Sequence, residues 1–158
     1  MQLVLSGSSR NEHGALRAVW LSASTQFLGT LLFNVSTGMA LDATTVKQQQ
    51  EFVWAPNAEG SGAFLISGGF ALLVLVHSGK LWGPRDRDWT SSWVNMHGCI
   101  AFGVSAVGAI VLPSGAVENA DLATWGTFIG AICFFAASAV MLPGARRPER
   151  KLKTILHS

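Results

Sequence analysis

The sequence predicts an all-α membrane protein: a bundle of four transmembrane helices with both termini in the cytoplasm. Three observations predict this fold class, namely the scarcity of charge, its clustering between long uncharged intervals, and the positions of the basic residues. Of the 158 residues, 49% are hydrophobic and only 13% are charged, and the mean hydropathy is +0.37. A water-soluble domain normally carries about 25% charged residues.

Four uncharged intervals define the predicted helices. No Asp, Glu, Lys or Arg occurs in residues 18–41, 60–79, 89–117 or 122–145. A helix needs roughly 20 apolar residues to cross about 30 Å of hydrocarbon, and each interval reaches that length. We therefore predict one transmembrane domain, residues 1–158. Its helices are placed at about residues 18–41, 58–81, 91–113 and 121–143, followed by a basic cytoplasmic tail at 144–158.

The basic residues predict the orientation, because Lys and Arg are retained on the cytoplasmic side of a membrane. Of the 11 basic residues, only Lys47 lies in the first or third connection. An N-in, C-in topology in the cytoplasmic (inner) membrane places the others inside. The polar N-terminal segment is too short for a cleaved signal peptide, so the first helix is expected to act as an uncleaved signal. The inside residues are Arg10, Arg17, Lys80, Arg85, Arg87, Arg146, Arg147, Arg150, Lys151 and Lys153.

The tryptophans agree with these helix ends, where an indole can lie among lipid headgroups. All of them fall near the ends of predicted helices: Trp20, Trp54, Trp82, Trp89, Trp93 and Trp125.

The second predicted helix begins within FVWAPNAEGSGAFLIS, residues 52–67. Pro56 disfavours helix at the preceding residue, so a turn is expected there, and Asn57 is a good N-cap. The residues Gly60, Ser61 and Gly62 have little or no side chain, so a neighbouring backbone or a partner protein can approach closely.

Small residues also recur every turn in the last two predicted helices. The fourth helix has a G-x-x-x-G motif within one small-residue face, and the third has a second such face. In lipid, small residues favour close helix contacts, and we expect one of these faces to remain for a partner. The candidate partner-interface residues are Gly60, Ser61, Gly62, Gly126 and Gly130. The two faces consist of Ala123, Gly126, Gly130, Cys133 and Ala137, and of Ala101, Ser105 and Ala109.

A polar row follows the first helix at a spacing of four residues: Ser22, Gln26, Thr30 and Asn34. Hydrocarbon cannot satisfy an amide side chain, so this row is expected to face protein and to hydrogen-bond between helices. The alternative is that it lines a polar cleft or a permeation path.

His77 and His97 lie at matching depths on neighbouring predicted helices. Two such imidazoles could ligate a b-type haem inside a four-helix bundle. The competing interpretation is that both are structural histidines near the headgroups. The basic tail is predicted to be either a short amphipathic helix on the membrane surface or a disordered segment.

No motif for catalysis or metal binding is present. The chain has no G-x-x-x-x-G-K-[ST] loop, no H-E-x-x-H and no C-x-x-C, and no acidic residue lies within an uncharged interval. Cys99 and Cys133 are interpreted as small packing residues. We therefore expect no enzyme activity, no cofactor, no metal site and no nucleic-acid partner.

Two stretches, GTLLFNVST in the first helix and VWAPNAEGSGAFLIS at the second, resemble the lipid uptake coordinator (Luc) proteins. These are small four-helix actinobacterial membrane proteins, accessory to the mammalian-cell-entry (Mce) lipid importers of mycobacteria. The resemblance implies a non-catalytic accessory subunit that docks on the permease of a lipid ABC-type transporter, with that permease and lipids as partners.

Two other functions remain open at this stage. One is a small membrane redox protein that binds haem or quinone through His77 and His97. The other is a self-assembling transporter lined by the polar row of the first helix.

Overall fold

The computed structural model describes residues 2–79 and 82–142, with side chains from residue 13 onward. Over these residues the chain is helical and has no β-strand, which confirms the all-α class. The predicted tail at 144–158 lies outside the described residues. The elements are α1 (Gln2–Met39), α2 (Val46–Gln48), a π-helical segment (Gln49–Trp54), α3 (Ala55–His77), α4 (Arg87–Gly108) and α5 (Ala120–Met141).

The first helix begins at Gln2, so the predicted transmembrane part, which starts at about residue 18, lies within a longer helix. The prediction used the start of the uncharged interval, which marks the part of a helix suited to hydrocarbon. Charged and polar side chains on the helix surface do not interrupt the backbone hydrogen bonds that define a helix. The polar N-terminal residues therefore continue the same helix.

The second helix also begins earlier than predicted, and the expected cap at Asn57 is wrong. Thr45 caps the chain through a reciprocal capping box with Gln48, and helical structure then continues past Pro56. A proline ring clashes with the carbonyl four residues earlier in an α-helix. Here the wider π-helical turns, which bond to the carbonyl five residues back, directly precede the proline and provide the room.

The bundle consists of two helical hairpins. Helix α1 packs along α3, α4 packs along α5, and the contact between α3 and α4 joins the two pairs. At the centre each long helix contributes one phenylalanine, and the ring centroids lie 5.1–5.3 Å apart. The phenylalanine cluster, as we call it below, consists of Phe33, Phe64, Phe102 and Phe134.

Glycines let the helices of each hairpin approach closely. A Cβ atom added at Gly130 would lie 2.6 Å from the ring of Phe102, and one at Gly126 would lie 2.8 Å from Ser105 Cβ. In the other hairpin, a Cβ at Gly60 would lie 3.0 Å from the carbonyl oxygen of Gly29. The small-residue faces predicted on α4 and α5 therefore pack against each other.

Two of the long helical stretches are long and apolar enough to cross a membrane, Val46–His77 and Ala120–Met141. Each hairpin contains one of them, whereas α1 and α4 do not meet the same criterion. Only 17% of the most apolar part of Ala120–Met141 is buried inside the molecule. An apolar helix that leaves most of its surface uncovered is unlike the core helix of a water-soluble protein.

Candidate functional site

A cleft lies between α1 and α5, at the end of the bundle where α3 ends and α4 begins. Its volume is about 790 Å³, which is within the range of small-molecule sites. All four long helices line it. The lining residues are Val19, Ser22, Ala23 and Gln26 of α1; Ser67, Ala71, Val74 and Leu75 of α3, with Ser78 after it; Asp88, Ser91, Ser92 and Asn95 of α4; and Phe134, Ala137, Ser138 and Met141 of α5.

The cleft exists because the two hairpins are joined through α3 and α4 and not through α1 and α5. Helices α1 and α5 therefore form its two side walls, and α3 and α4 form its floor. The phenylalanine cluster closes its inner end, since Phe134 belongs both to that cluster and to the lining. Helices α1 and α5 do not pack extensively on each other, so we infer that the cleft opens to the surroundings between them.

Three of the six cleft serines are hydrogen-bonded to the backbone of a neighbouring helix. Ser22 Oγ donates to the carbonyl of Ser67 at 3.0 Å, and Ser67 Oγ donates back to the carbonyl of Ser22 at 2.8 Å. Ser91 Oγ donates to the carbonyl of Ala137 at 3.0 Å. These bonds join α1 to α3 and α4 to α5 beside the cleft. They fix the positions of the helices that form its walls without the need for a bound ligand.

Two amide side chains of the lining are not satisfied in this way. Gln26 Oε1 is buried and has no hydrogen-bond partner. Asn95 Nδ2 contacts only the sulfur of Cys99, at 3.8 Å, and sulfur is a weak acceptor. A buried oxygen left without a donor costs roughly 1–3 kcal/mol. The cleft therefore has hydrogen-bonding capacity that a ligand could use.

The described lining of the cleft contains one charged side chain. Asp88, in the first turn of α4, is the charged residue of the described lining, which contains no Lys, Arg or His. The other polar groups are neutral hydroxyls and amides.

The four residues of the predicted polar row lie in two different environments. Ser22 and Gln26 line the cleft, as the cleft interpretation of the row requires. Thr30 and Asn34 are exposed and donate to carbonyls of their own helix at 3.0 and 2.9 Å. A spacing of four residues advances about 40° beyond a full turn, so three steps rotate the row by about 120°. One straight face cannot hold all four residues.

The predicted partner-interface residues lie mostly inside the bundle. Gly60 and Ser61 are buried against the rest of the chain, and Gly126 and Gly130 are covered by α4. Gly62 differs, because a Cβ atom added there meets nothing within 4 Å. Of the five candidates, Gly62 is the one whose open side a partner can reach without moving the helices.

The two histidines predicted as alternative haem ligands do not share a cavity. His77 Nδ1 lies 2.8 Å from the carbonyl of Leu73, and its ring lies beside Gly14 of α1. His97 is exposed, with Nδ1 2.7 Å from the carbonyl of Trp93. Neither ring lines the cleft. The described residues also contain no group of three or more His, Cys, Asp or Glu side chains placed to hold a metal ion.

Trp54 has a role that the sequence analysis did not predict. Its indole N–H donates to the carbonyl of Ala106 at 3.1 Å, which fastens the π-helical segment to α4. The indoles of Trp20 and Trp82 are 75% and 82% exposed, as expected of side chains that lie among headgroups.

Most of the cleft lining was not predicted from the sequence, including Ser67, Ser91, Ser92, Asn95 and Ser138. A signal was present on α4, where Ser91, Ser92 and Asn95 fall within one turn at the start of an uncharged interval. No pattern within one helix predicts that this turn lines the same cleft as Gln26 of α1.

Comparison of the chain with protein-family models, with curated proteins and with solved structures finds no match. The geometry of the cleft and the sequence patterns are therefore the basis for the functional proposal.

Proposed function

We propose that this protein is a non-catalytic integral membrane subunit that docks on a multispan permease and stabilises or modulates it. In this proposal the chain crosses the inner membrane four times, with both termini in the cytoplasm. The permease that we propose belongs to an Mce-type lipid importer, on the resemblance of two sequence stretches to the Luc proteins.

The observation that supports the membrane assignment is the distribution of polar and apolar side chains, which differs from that of a water-soluble protein. Large apolar side chains are exposed on every long helix, while neutral polar groups converge on the cleft. Exposed apolar patches of this extent are unfavourable in water but suit contact with lipid. Examples are Trp20 and Phe27 on α1, Ile66 on α3, Val107 on α4 and Phe135 on α5.

Internal hydrogen bonds favour a membrane location for α1, although it is less apolar than α3. Thr25, Thr30, Asn34 and Thr37 each donate to the carbonyl four residues earlier. A polar side chain that bonds its own backbone exposes fewer unsatisfied groups to hydrocarbon. Pairing with α3 also covers the α1 face that carries Ser22.

The cleft serines favour binding over catalysis. Ser22, Ser67, Ser91 and Ser138 each donate to a backbone carbonyl, and not to an imidazole or carboxylate base. A nucleophilic serine is activated by an adjacent base that accepts its proton. The described hydroxyls are therefore arranged as structural or ligand-binding groups.

The proposed topology predicts where reporters function. A reporter fused after Ser158 is expected to be active only in the cytoplasm, because the basic segments are retained inside. A second reporter, inserted in the connection of residues 109–119 between α4 and α5, is expected to be active only outside. Activity of the C-terminal reporter outside the cell would contradict the proposal.

Docking on a permease predicts an effect of Gly62→Leu. The new side chain points into open space in this chain, so the melting temperature should not fall. If a partner helix lies close to Gly62, the same side chain separates the two proteins, and recovery of the permease in mild-detergent co-purification should drop several-fold.

Gly38→Leu is the matched control, since a Cβ atom at Gly38 also meets nothing within 4 Å and this glycine lies on α1. It is expected to leave co-purification unchanged. Equal recovery with Gly62→Leu and wild type would remove this face of α3 from the proposed interface.

The redox alternative has no comparable support. It requires His77 and His97 to turn towards a common cofactor, whereas one ring lies beside α1 and the other is exposed next to Trp93.

A further inference from the structure

We propose that the outer face of α4 docks a transmembrane helix of the partner permease, and that a hydrogen-bond donor on that helix bonds to His97. This inference rests on the membrane location and the permease partner proposed above, and it assigns the contact to one helix face and one atom. The α4 outer face, as we call it below, consists of the exposed residues of α4 from Trp93 onward, namely Trp93, His97, Ile100, Val104 and Val107.

His97 lies near the middle of its helix, which runs from Arg87 to Gly108. At about 1.5 Å per residue, the side chain is attached roughly 15 Å from either end. In the proposed topology this position is close to the centre of the hydrocarbon, which is about 30 Å thick. Water and lipid headgroups therefore lie too far away to bond to the ring.

One ring nitrogen of His97 has no partner among the described residues. Nδ1 lies 2.7 Å from the carbonyl of Trp93, and a carbonyl only accepts, so Nδ1 carries the proton of the neutral ring. Nε2 is then an acceptor, and no described group donates to it. The Trp93 ring lies beside the imidazole, with centroids 6.3 Å apart, and leaves it exposed. Because a polar ring is costly at this depth, such residues normally face protein or a water-filled cavity.

The α4 outer face has the pattern of a helix-packing seam with one polar position. Its five residues are spaced by four, three, four and three, and the four besides His97 are aliphatic or aromatic. Other polar side chains in this part of α4 point inward, since Asn95 lines the cleft and Ser105 donates to the carbonyl of Ala123 at 2.6 Å. A single polar residue within such a seam specifies the register of the partner helix.

The acceptor on His97 favours a different chain over lipid or a second copy. Acyl chains have no donor. A second copy with the same orientation would present the same acceptor through the same face, and two acceptors cannot bond to each other. The indole donor of that copy, on Trp93, lies one helical turn nearer the cytoplasmic end. A partner helix with Ser, Thr, Asn or Gln at the matching depth supplies the missing donor.

The α4 outer face adjoins the surface of α3 that carries Gly62. A Cβ atom added at Gly103 of α4 would lie 3.3 Å from Leu65 Cδ1, and Leu65 is 37% exposed. Residues three apart lie on neighbouring positions of a helix surface, so Gly62 and Leu65 are close together on α3. One permease can therefore contact both Gly62 and the α4 outer face.

Photocrosslinking tests the docking face. The full-length chain is expressed with the permease, and benzoylphenylalanine replaces either Ile100, next to His97 on the seam, or Ile132 on α5 as the matched control. The two isoleucines are 47% and 51% exposed, and both lie towards the middle of their helices. We expect position 100 to form an adduct with a transmembrane peptide of the permease, and position 132 to form none. Adducts only between two copies of this chain, no polypeptide adduct from position 100, or equal adducts from both positions would overturn the proposal.

Two variants of His97 separate its hydrogen bond from its shape. His97→Phe keeps an aromatic ring and removes the acceptor, so recovery of the permease in mild-detergent co-purification should fall about three- to tenfold. His97→Gln keeps an acceptor and should retain most of the recovery. Both variants should melt near the wild-type temperature, because the position is exposed in this chain. Wild-type recovery with His97→Phe, or equal losses with the two variants, would overturn the assignment of the hydrogen bond.

Failure of this inference can be distinguished from failure of the proposed function. If the permease co-purifies and position 100 forms no adduct with it, only the α4 outer face is rejected. If position 100 instead forms an adduct with a transmembrane helix of a different, identified protein, the docking face is retained and the permease is rejected. The reporters described above test the membrane location separately.

Discussion

Replacing Gly130 by leucine is expected to lower the free energy of unfolding by about 3 kcal/mol or more. A Cβ atom at this position would lie 2.6 Å from the Phe102 ring, so α5 must move away from α4. Phe102 cannot yield easily, because three other phenylalanines surround it. Thermal unfolding of the purified protein in detergent measures the loss.

Gly62→Leu is the control for this prediction, since its added side chain has open space. It should unfold at or slightly above the wild-type temperature, because leucine has a better helix propensity than glycine by about 1 kcal/mol. A wild-type melting temperature for Gly130→Leu would show that α5 does not pack on α4 as described. Loss of partner binding in this variant would follow from loss of the fold.

Phe102→Ala should lower the free energy of unfolding by about 3 kcal/mol. Phe102 is 5% exposed and contacts the rings contributed by the other three long helices, so truncation leaves a cavity at the point where both hairpins meet. In a membrane the transfer of the ring from water contributes little, and lost dispersion contacts account for most of the effect. We therefore expect the lower end of the range found for water-soluble proteins.

Phe135→Ala makes the same chemical change at an exposed position of α5, where the side chain is 77% exposed. It should change the free energy of unfolding by less than about 0.5 kcal/mol, as surface substitutions usually do. Thermal unfolding under identical conditions compares the two variants. Equal losses would contradict the position of the phenylalanine cluster at the centre of the bundle.

The presence of the four long helices could be predicted, because an uncharged interval can be recognised within one segment without knowing what that segment packs against. Their ends were less predictable. Pro56 and Asn57 are typical of a turn and a cap, and no residue pattern indicates that π-helical turns precede the proline. The start of α1 at Gln2 could not be predicted from the uncharged interval, because charge indicates where a helix suits lipid and backbone hydrogen bonding does not depend on it.

The cleft was harder to predict, because it depends on how helices are rotated and paired. The polar row was visible on α1, but only Ser22 and Gln26 reach the cleft. Gly126 and Gly130 were recognised as contact residues, yet the face that covers them, around Ala101 and Ser105, could equally have met a partner. The spacing along one helix shows that a face exists and does not identify what covers it.

The pairing of helices has a consequence for how the protein is made. In each hairpin the less apolar helix, α1 or α4, is synthesised before the apolar helix on which it packs. As the ribosome extends the chain, α4 emerges with its serines and Asn95 still uncovered, and these favour water over lipid. Under the proposed four-span topology, we expect entry of α4 into the bilayer to be completed only after α5 has been translated, so that each hairpin is inserted as a unit.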